Sequence, residues 1–347
     1  MGGGRNISHK TDKVNNPKRT FLSYQKIIGM DNLLEAWREF LSGKRKRKDV
    51  AEFATHLMDN VLALHQDLVN KTYRHGGYAS FKINDPKPRD IHKAMVRDRL
   101  LHHAIYRILY PYFDTKFIFY SFSCRRGKGV YEAINWFRDI GRKVSRNNTR
   151  TVWVLKCDIK KFFANIDHTV LKNILAKNIT DKDVLWLLNK VIDSFHIQGN
   201  SGIGLPLGNL TSQLLVNVYM NVFDYFLKRE LKVGFYIRYA DDFVILHKDR
   251  KYLEDILPPV SLFLEKCLKL SLHPDKVFIK TLASGLDFLG WIHFPQWRVL
   301  RISTKKRMFF KLKHQAKECS IASYFGLLKH GDAFKLQQKL GKRLINK

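Results

Sequence analysis

Phe235-Tyr-Ile-Arg-Tyr-Ala-Asp-Asp-Phe-Val-Ile-Leu246 is the stretch on which the fold turns. Aromatic and β-branched residues flank a central Ala-Asp-Asp, which predicts two strands, Phe235–Tyr239 and Phe243–His247, joined by a tight turn. Upstream, the β-rich run Thr151–Cys157 also ends on an acid, Asp158. Downstream, Val277–Ile279 and Leu286–Phe294 read as the last strands. Helical periodicity fills the intervals at about residues 168–177, 184–195, 210–231 and 251–269, where Pro258-Pro259 is expected to kink or restart the helix. The order is β-α-β-β-α-β, an α+β chain with a split βαβ sheet of the ferredoxin-like kind. In such a sheet Asp158 and the hairpin acids Asp241 and Asp242 stand on neighbouring strand ends.

An aspartate at a turn is unremarkable alone, because turns favour it. Three brought together by one sheet suggest more. Phosphoryl transfer to a nucleotide needs two divalent cations about 4 Å apart, held by carboxylates. Charge points the same way. The 347 residues carry 62 Lys+Arg against 31 Asp+Glu, a net +31, which calls for a polyanionic partner. Nucleic acid fits better than a membrane surface, since no apolar run of about 18 residues is present. The start lacks an apolar signal core, and Asn6 spoils a myristoylation motif, so a cytoplasmic protein is expected. Cys124, Cys157, Cys267 and Cys319 lie far apart and offer neither a disulfide framework nor a zinc site.

Residues 1–20 are predicted as a basic, flexible tail. Met30–Phe40 shows a helical period, and residues 50–70 read as one helix. Between them Arg45, Lys46 and Arg47 sit in a basic run that suits a solvated loop or a phosphate contact equally. Tyr78–Ile83 alternates as a strand, followed by a turn at Asp85-Pro-Lys-Pro and a long helix from His92 to Leu109, stopped by Pro111. After Val299 the chain reads as helical and basic, through Lys305, Lys306, Arg307, Lys311 and Lys313, with no further strand.

The Tyr-Ala-Asp-Asp hairpin resembles the YxDD hairpin of reverse transcriptases, and Asp158-Ile-Lys-Lys-Phe-Phe163 resembles their DxxxxF strand. Further motifs follow in family order between about residues 73 and 298. Tyr73–Asp98 and Ser121–Gly129 resemble the first two, Gly202–Asp224 the fourth, Leu270–Lys280 the sixth and Leu286–Trp291 the seventh. The resemblance implies a right-hand polymerase, with fingers and a ferredoxin-like palm over 21–298 and a basic helical thumb over 299–347. It implies RNA-directed DNA synthesis from dNTPs with two Mg2+ ions, Mn2+ being able to substitute. Asp158, Asp241 and Asp242 would be ligands, with the Ile159 carbonyl completing the set.

Other roles follow from the same resemblance. Lys87, Arg89 and Arg125 would hold the triphosphate, Phe163 would gate against the ribose 2′-hydroxyl, and Lys276 would be a general acid for pyrophosphate. Arg45, Lys46, Arg47 and the basic residues after Val299 would meet phosphates. Asp167 suits a helix cap better than a metal. Where most reverse transcriptases have Pro-Gln-Gly, this chain has Pro206-Leu-Gly208, with Asn209-Leu-Thr-Ser-Gln213 following. Leu207 in place of Gln is similar to reverse transcriptases of diversity-generating retroelements, found in prokaryotes and phages. These copy a structured template-repeat RNA with errors at adenines and work with a small basic helical accessory protein. A retron, intron-derived or antiviral enzyme would share the site; an RNA-binding scaffold with a dead polymerase fold is the further alternative, against which the intact acids argue. No RNase H, endonuclease or integrase domain is expected in the chain.

Overall fold

The computed structural model describes residues 22–84, 88–197, 199–314 and 318–345, without the side chains of 342–345. The chain opens with α1 (Tyr24–Ile28), α2 (Met30–Leu41), α3 (Lys48–Thr55) and α4 (Leu57–Val69), followed by the hairpin β1 (Tyr78–Ile83) and β2 (Arg89–Ala94). The single helix expected over 50–70 breaks at His56. Asn60 Nδ2 donates to the Phe53 carbonyl at 3.1 Å and Thr55 Oγ1 to that of Glu52, so side chains satisfy carbonyls that the helix end releases.

A second difference concerns residues 92–94, read as helix from sequence. They belong to β2, which pairs with β1 from Tyr78↔Ala94 to Ile83↔Arg89. The helix α5 begins only at Val96 and runs to Asp114, through Pro111. Leu109, Tyr110 and Phe113 are buried around that proline, and their packing outweighs the missing backbone bond.

Next come α6 (Val130–Ser145), β3 (Trp153–Asp158), α7 (His168–Asn178), α8 (Lys182–Asp193) and α9 (Leu210–Tyr225). Then follow β4 (Phe235–Tyr239), β5 (Asp242–His247), α10 (Arg250–Leu268) and β6 (Phe278–Thr281). Asp167 caps α7, accepting from Val170 N at 2.9 Å, as its position suggested. α10 neither stops nor restarts at Pro258-Pro259, because Leu253, Ile256, Val260 and Leu264 form one buried face across them.

β3 to β6 form an antiparallel sheet in the order β4-β5-β3-β6. Numbered along the chain this is 2-3-1-4, the order into which a split βαβ folds. Period-two alternation divides its side chains between two layers. Leu155, Cys157, Phe243 and Ile245 join the large helical core, while Val154, Val244, Ile237 and Leu246 face Phe137, Ile140 and Val144 of α6.

The stretch 286–294, expected as one strand, is a hairpin of β7 (Leu286–Phe288) and β8 (Trp291–His293), turning at Leu289-Gly290 with φ 51° and 88°. Two successive positive φ values make a tight turn whose twist suits a hairpin. A further strand, β9 (Arg298–Leu300), pairs with β8 where none was expected beyond Val299. Helices α11 (Ile302–His314), α12 (Glu318–Leu328) and α13 (Phe334–Ile345) close the chain. Met308, Leu328 and Leu340 from them pack on Trp291 and Ile134. Among the described residues no helix is long and apolar enough to cross a membrane.

Candidate active site

On β3 the alternation that buries Cys157 puts Lys156 and Asp158 on the same face. Asp158 is the register partner of Asp242, the first residue of β5. Asp241 occupies the turn between β4 and β5, after Ala240, whose φ of 56° is left-handed. The Asp241 carbonyl accepts from Ile159 N at 3.1 Å, which ties the turn to the end of β3. The three acids expected to act together therefore sit at one end of one sheet, with the Ile159 backbone beside them.

Their electrostatics are those of crowded carboxylates. Burial above all, reinforced by Asp158 and Asp241, pushes the Asp242 carboxyl up to about 7, against the pull of Lys156. The Asp241 carboxyl is also raised, chiefly by burial and then by Asp158, while Lys276 and Arg89 oppose the shift. Asp242 Oδ1 is buried and has no hydrogen-bond partner among the described residues. Two ammonium groups partly offset the charge. Lys276 Nζ donates to Asp158 Oδ1 at 2.8 Å, and Lys156 Nζ lies 3.4 Å from Asp242 Oδ2 while donating to the Asp287 carbonyl at 2.9 Å.

Among the described residues no three His, Cys, Asp or Glu side chains converge as metal ligands would. The expected ligand set is present as adjacent acids and not as an assembled cage. The donors still suit a divalent cation, being hard oxygens, one of them a buried carboxylate oxygen without a partner.

Beside the acids opens a cleft of about 910 Å³, lined by Asp241, Arg89, Phe163 and Leu207 among others. Four residues chosen from sequence thus meet in one cavity. Arg89 is exposed at the start of β2. Phe162 and Phe163 divide their duties: Phe162 is buried in the core, and Phe163 stands half-exposed in the cleft, 5.6 Å away edge to face. Leu207 is held at its backbone, where His92 N donates to the Leu207 carbonyl at 3.1 Å and Asn209 Nδ2 to the His92 carbonyl at 3.1 Å.

Other residues are placed elsewhere. Arg125 does not line the cleft. Its guanidinium is spent on Asp114 (Nε to Oδ1, 2.7 Å) and on the carbonyls of Ile118, Ser121 and Asp114, so it braces a loop. Lys87 lies outside the described residues. Lys276 is committed to Asp158, as above. Arg45, Lys46 and Arg47 are exposed in the turn after α2; Lys305, Lys306, Lys311 and Lys313 are exposed on α11, and Arg307 is half-buried there.

Sequence reasoning missed Lys156 and His92. Lys156 was findable, since it sits two residues before Asp158 on the same strand face. His92, in the cleft wall with Nδ1 2.9 Å from Ser80 Oγ, was hidden by the helical reading of residues 92–109.

Comparison with known proteins bears on the same segment. Residues 82–293 match the family model described as reverse transcriptase (RNA-dependent DNA polymerase). Protein YkfC of Escherichia coli (strain K12) is 28% identical over 235 residues, covering 56% of this chain and 60% of that protein. The group II intron-encoded protein LtrA of Lactococcus lactis subsp. cremoris is 24% identical over 294 residues, 65% of this chain and 47% of LtrA. The putative COX1/OXI3 intron 2 protein of Saccharomyces cerevisiae is 22% identical over 305 residues, 69% of this chain and 33% of that protein. The chain therefore spans between a third and three fifths of the length of these relatives. The family match runs from the end of β1 to the end of β8, taking in β2 and all three acids, and on it the chain belongs to the reverse transcriptase family.

Proposed function

We propose that this chain is an RNA-directed DNA polymerase that synthesises cDNA with low fidelity, as in a diversity-generating retroelement. The observation that carries the polymerase reading is the register pairing of Asp158 with Asp242, with Asp241 between that pair and the cleft. In this reading the four-stranded sheet is the palm, the elements before β3 supply the fingers, and α11 to α13 are the thumb. Asp158, Asp241 and Asp242, with the Ile159 carbonyl, would hold Mg2+ or Mn2+. Such ions, when bound, supply positive charge to the attacking and leaving oxygens.

The chain's own residues do the rest. Arg89, across the cleft from Asp241, meets the triphosphate, with Lys87 beside it in sequence. The Phe163 ring stands where a ribose would lie and excludes a 2′-hydroxyl by overlap. Lys276 Nζ donates to Asp158 at the edge of the acids, which suits it to serve as the general acid for a departing pyrophosphate. Leu207 offers the nucleotide a hydrocarbon surface where a glutamine would offer a donor and an acceptor, so a misplaced base loses nothing in hydrogen bonding. The exposed bases of α11 suit the phosphates of an RNA/cDNA duplex. The structured template RNA and a small helical accessory protein belong to the same proposal. Similarity to LtrA favours a second reading, an intron-derived reverse transcriptase with the same site and another template.

Primer extension on a defined RNA separates these readings. Asp241→Asn is expected to lower dNTP incorporation by several orders of magnitude with RNA binding retained, because a lost anionic ligand weakens both cation sites. Substantial extension by that variant would remove the acids from the mechanism. Deep sequencing of the cDNA then tests the retroelement assignment. Errors should concentrate at template adenines, and Leu207→Gln should reduce them about fivefold, the worth of one hydrogen bond of roughly 1 kcal/mol. A parent that copies all four bases equally well would favour the intron-derived reading.

A further inference from the structure

Behind the hairpin tip lies a fully buried ion pair that has no part in the chemistry proposed above. Asp224 on α9 and Arg238 on β4 are both 0% exposed. They meet through two parallel bonds, Nε to Oδ1 at 2.8 Å and Nη2 to Oδ2 at 2.6 Å. The other guanidinium protons go to Ser121 Oγ at 3.0 Å, Asn217 Oδ1 at 3.3 Å and the Ala240 carbonyl at 3.2 Å. A guanidinium has five N–H groups, and here each has an acceptor. The Tyr236 hydroxyl adds a bond to Asp224 Oδ1 at 2.8 Å. Asn217 Nδ2 donates in turn to the Ser123 carbonyl at 2.9 Å.

Packing alone does not account for this arrangement. An apolar pair of similar volume would fill the space without desolvating two charges. What an apolar pair cannot do is hold the Ala240 carbonyl. Ala240 has a φ of 56°, a conformation that disfavours any residue with a Cβ, so its turn must be held by its surroundings. Two bonds hold it. Arg238 Nη1 fixes the Ala240 carbonyl from behind, and Ile159 N fixes the Asp241 carbonyl from the side. Those carbonyls belong to the two peptide planes that flank the Asp241 Cα. With both planes fixed, the direction of the Asp241 Cα–Cβ bond, from which its carboxylate hangs, is fixed as well.

We infer that Arg238, oriented by Asp224, is a positioning residue that aims Asp241 through the Ala240 carbonyl. The inference rests on the polymerase reading of the site. Lysine cannot substitute, because a single ammonium cannot grip Asp224 with two parallel bonds and also reach Ser121, Asn217 and Ala240.

Two variants test it. Arg238→Lys keeps the charge but not the fork, and the double variant Asp224→Leu with Arg238→Met removes both charges together and leaves neither uncompensated. Each is measured for folding by urea denaturation, for RNA affinity, and for kcat and KM in primer extension. The expected result in any folded variant is a kcat lower by about a hundredfold, the scale of a catalytic group misplaced by about 1 Å. KM for dNTP and RNA affinity should stay within about twofold of the parent, because neither contact is touched. A folded variant with the parent's kcat would overturn the inference, and so would failure of both variants to fold, which would assign the network to stability alone. A parent that extends no primer would instead sink the polymerase reading, and the inference with it.

Discussion

Phe163 and Leu207 line the same cleft, and under the proposed function each would act by what it lacks. A phenyl ring cannot accept a hydroxyl, and an isobutyl group cannot pair with one. For Phe163 the expected outcome of replacement by Val is easier ribonucleotide entry, with dNTP incorporation largely kept. Discrimination between rNTP and dNTP should fall on the order of tenfold to a hundredfold, the range a small shape change in an apolar pocket commands. Competition between the two nucleotide types at one template position measures it directly. Unchanged discrimination would leave Phe163 as a packing partner of Phe162. Of the two adjacent phenylalanines, Phe162 enters the core and Phe163 lines the cleft. Lys161, whose φ of 45° is left-handed, precedes the pair.

At the scale of elements, Gly331 holds the C-terminal helices against the sheet. A Cβ built there would lie 2.1 Å from Trp291 Cζ3, closer than any real contact. The loop approaches the indole because Arg298 spans the junction. Its Nη1 donates to the Ile134 carbonyl at 2.8 Å, its Nη2 to Asn135 Oδ1 at 2.7 Å and its Nε to the His330 carbonyl, while Asp332 N donates to the Arg298 carbonyl. Gly331→Ala is therefore expected to cost about 1–3 kcal/mol, the usual penalty of overpacking. The loss should fall on α11 to α13. Limited proteolysis of the variant should release that segment first, whereas uniform cleavage along the chain would show that it does not pack as an added layer.

Over the whole molecule, buried histidines set the response to acid. Burial holds the His103 imidazole down to about 4, with Lys44 and Arg99 adding to the shift, and burial holds His293 down to about 3. His102 is also lowered, by burial first and then by His75. An unfolded histidine titrates near 6.5, so between 6.5 and 4 the unfolded chain binds protons that the folded chain refuses. Stability is therefore full above 6.5 and is lost as pH falls toward the folded values. Asp242 works in the opposite sense throughout that window, since its carboxyl is raised to about 7. A comparison that cancels it is needed. His103→Phe, at a site already against the edge of Phe40, should flatten the acid limb of a thermal-denaturation profile between pH 6.5 and 4 relative to the parent. An identical limb would mean that His103 is open to protonation in the folded state.

The sequence by itself determined the identity and order of the palm-like strands, because period-two alternation and a turn with two acids are local signals. It brought the three acids into view for the same reason: Asp158 ends one strand, Asp241 and Asp242 lie at the turn between two others, and strand ends of one sheet meet. It also set Phe163, Leu207 and Arg89 in view, though only by resemblance. The tertiary structure decided the rest. Pro111, Pro258 and Pro259 stay inside helices because buried faces cross them, which no local rule foresees. His92 lies in a strand because β2 pairs with β1, and Leu207, far away in sequence, adds a bond to its backbone. Arg125 was withdrawn from the cleft by Asp114, and Arg238 was drawn behind the tip by Asp224. In each case the deciding partner is distant along the chain. Charge pairing and burial act through space, and a strand or helix period carries no record of them.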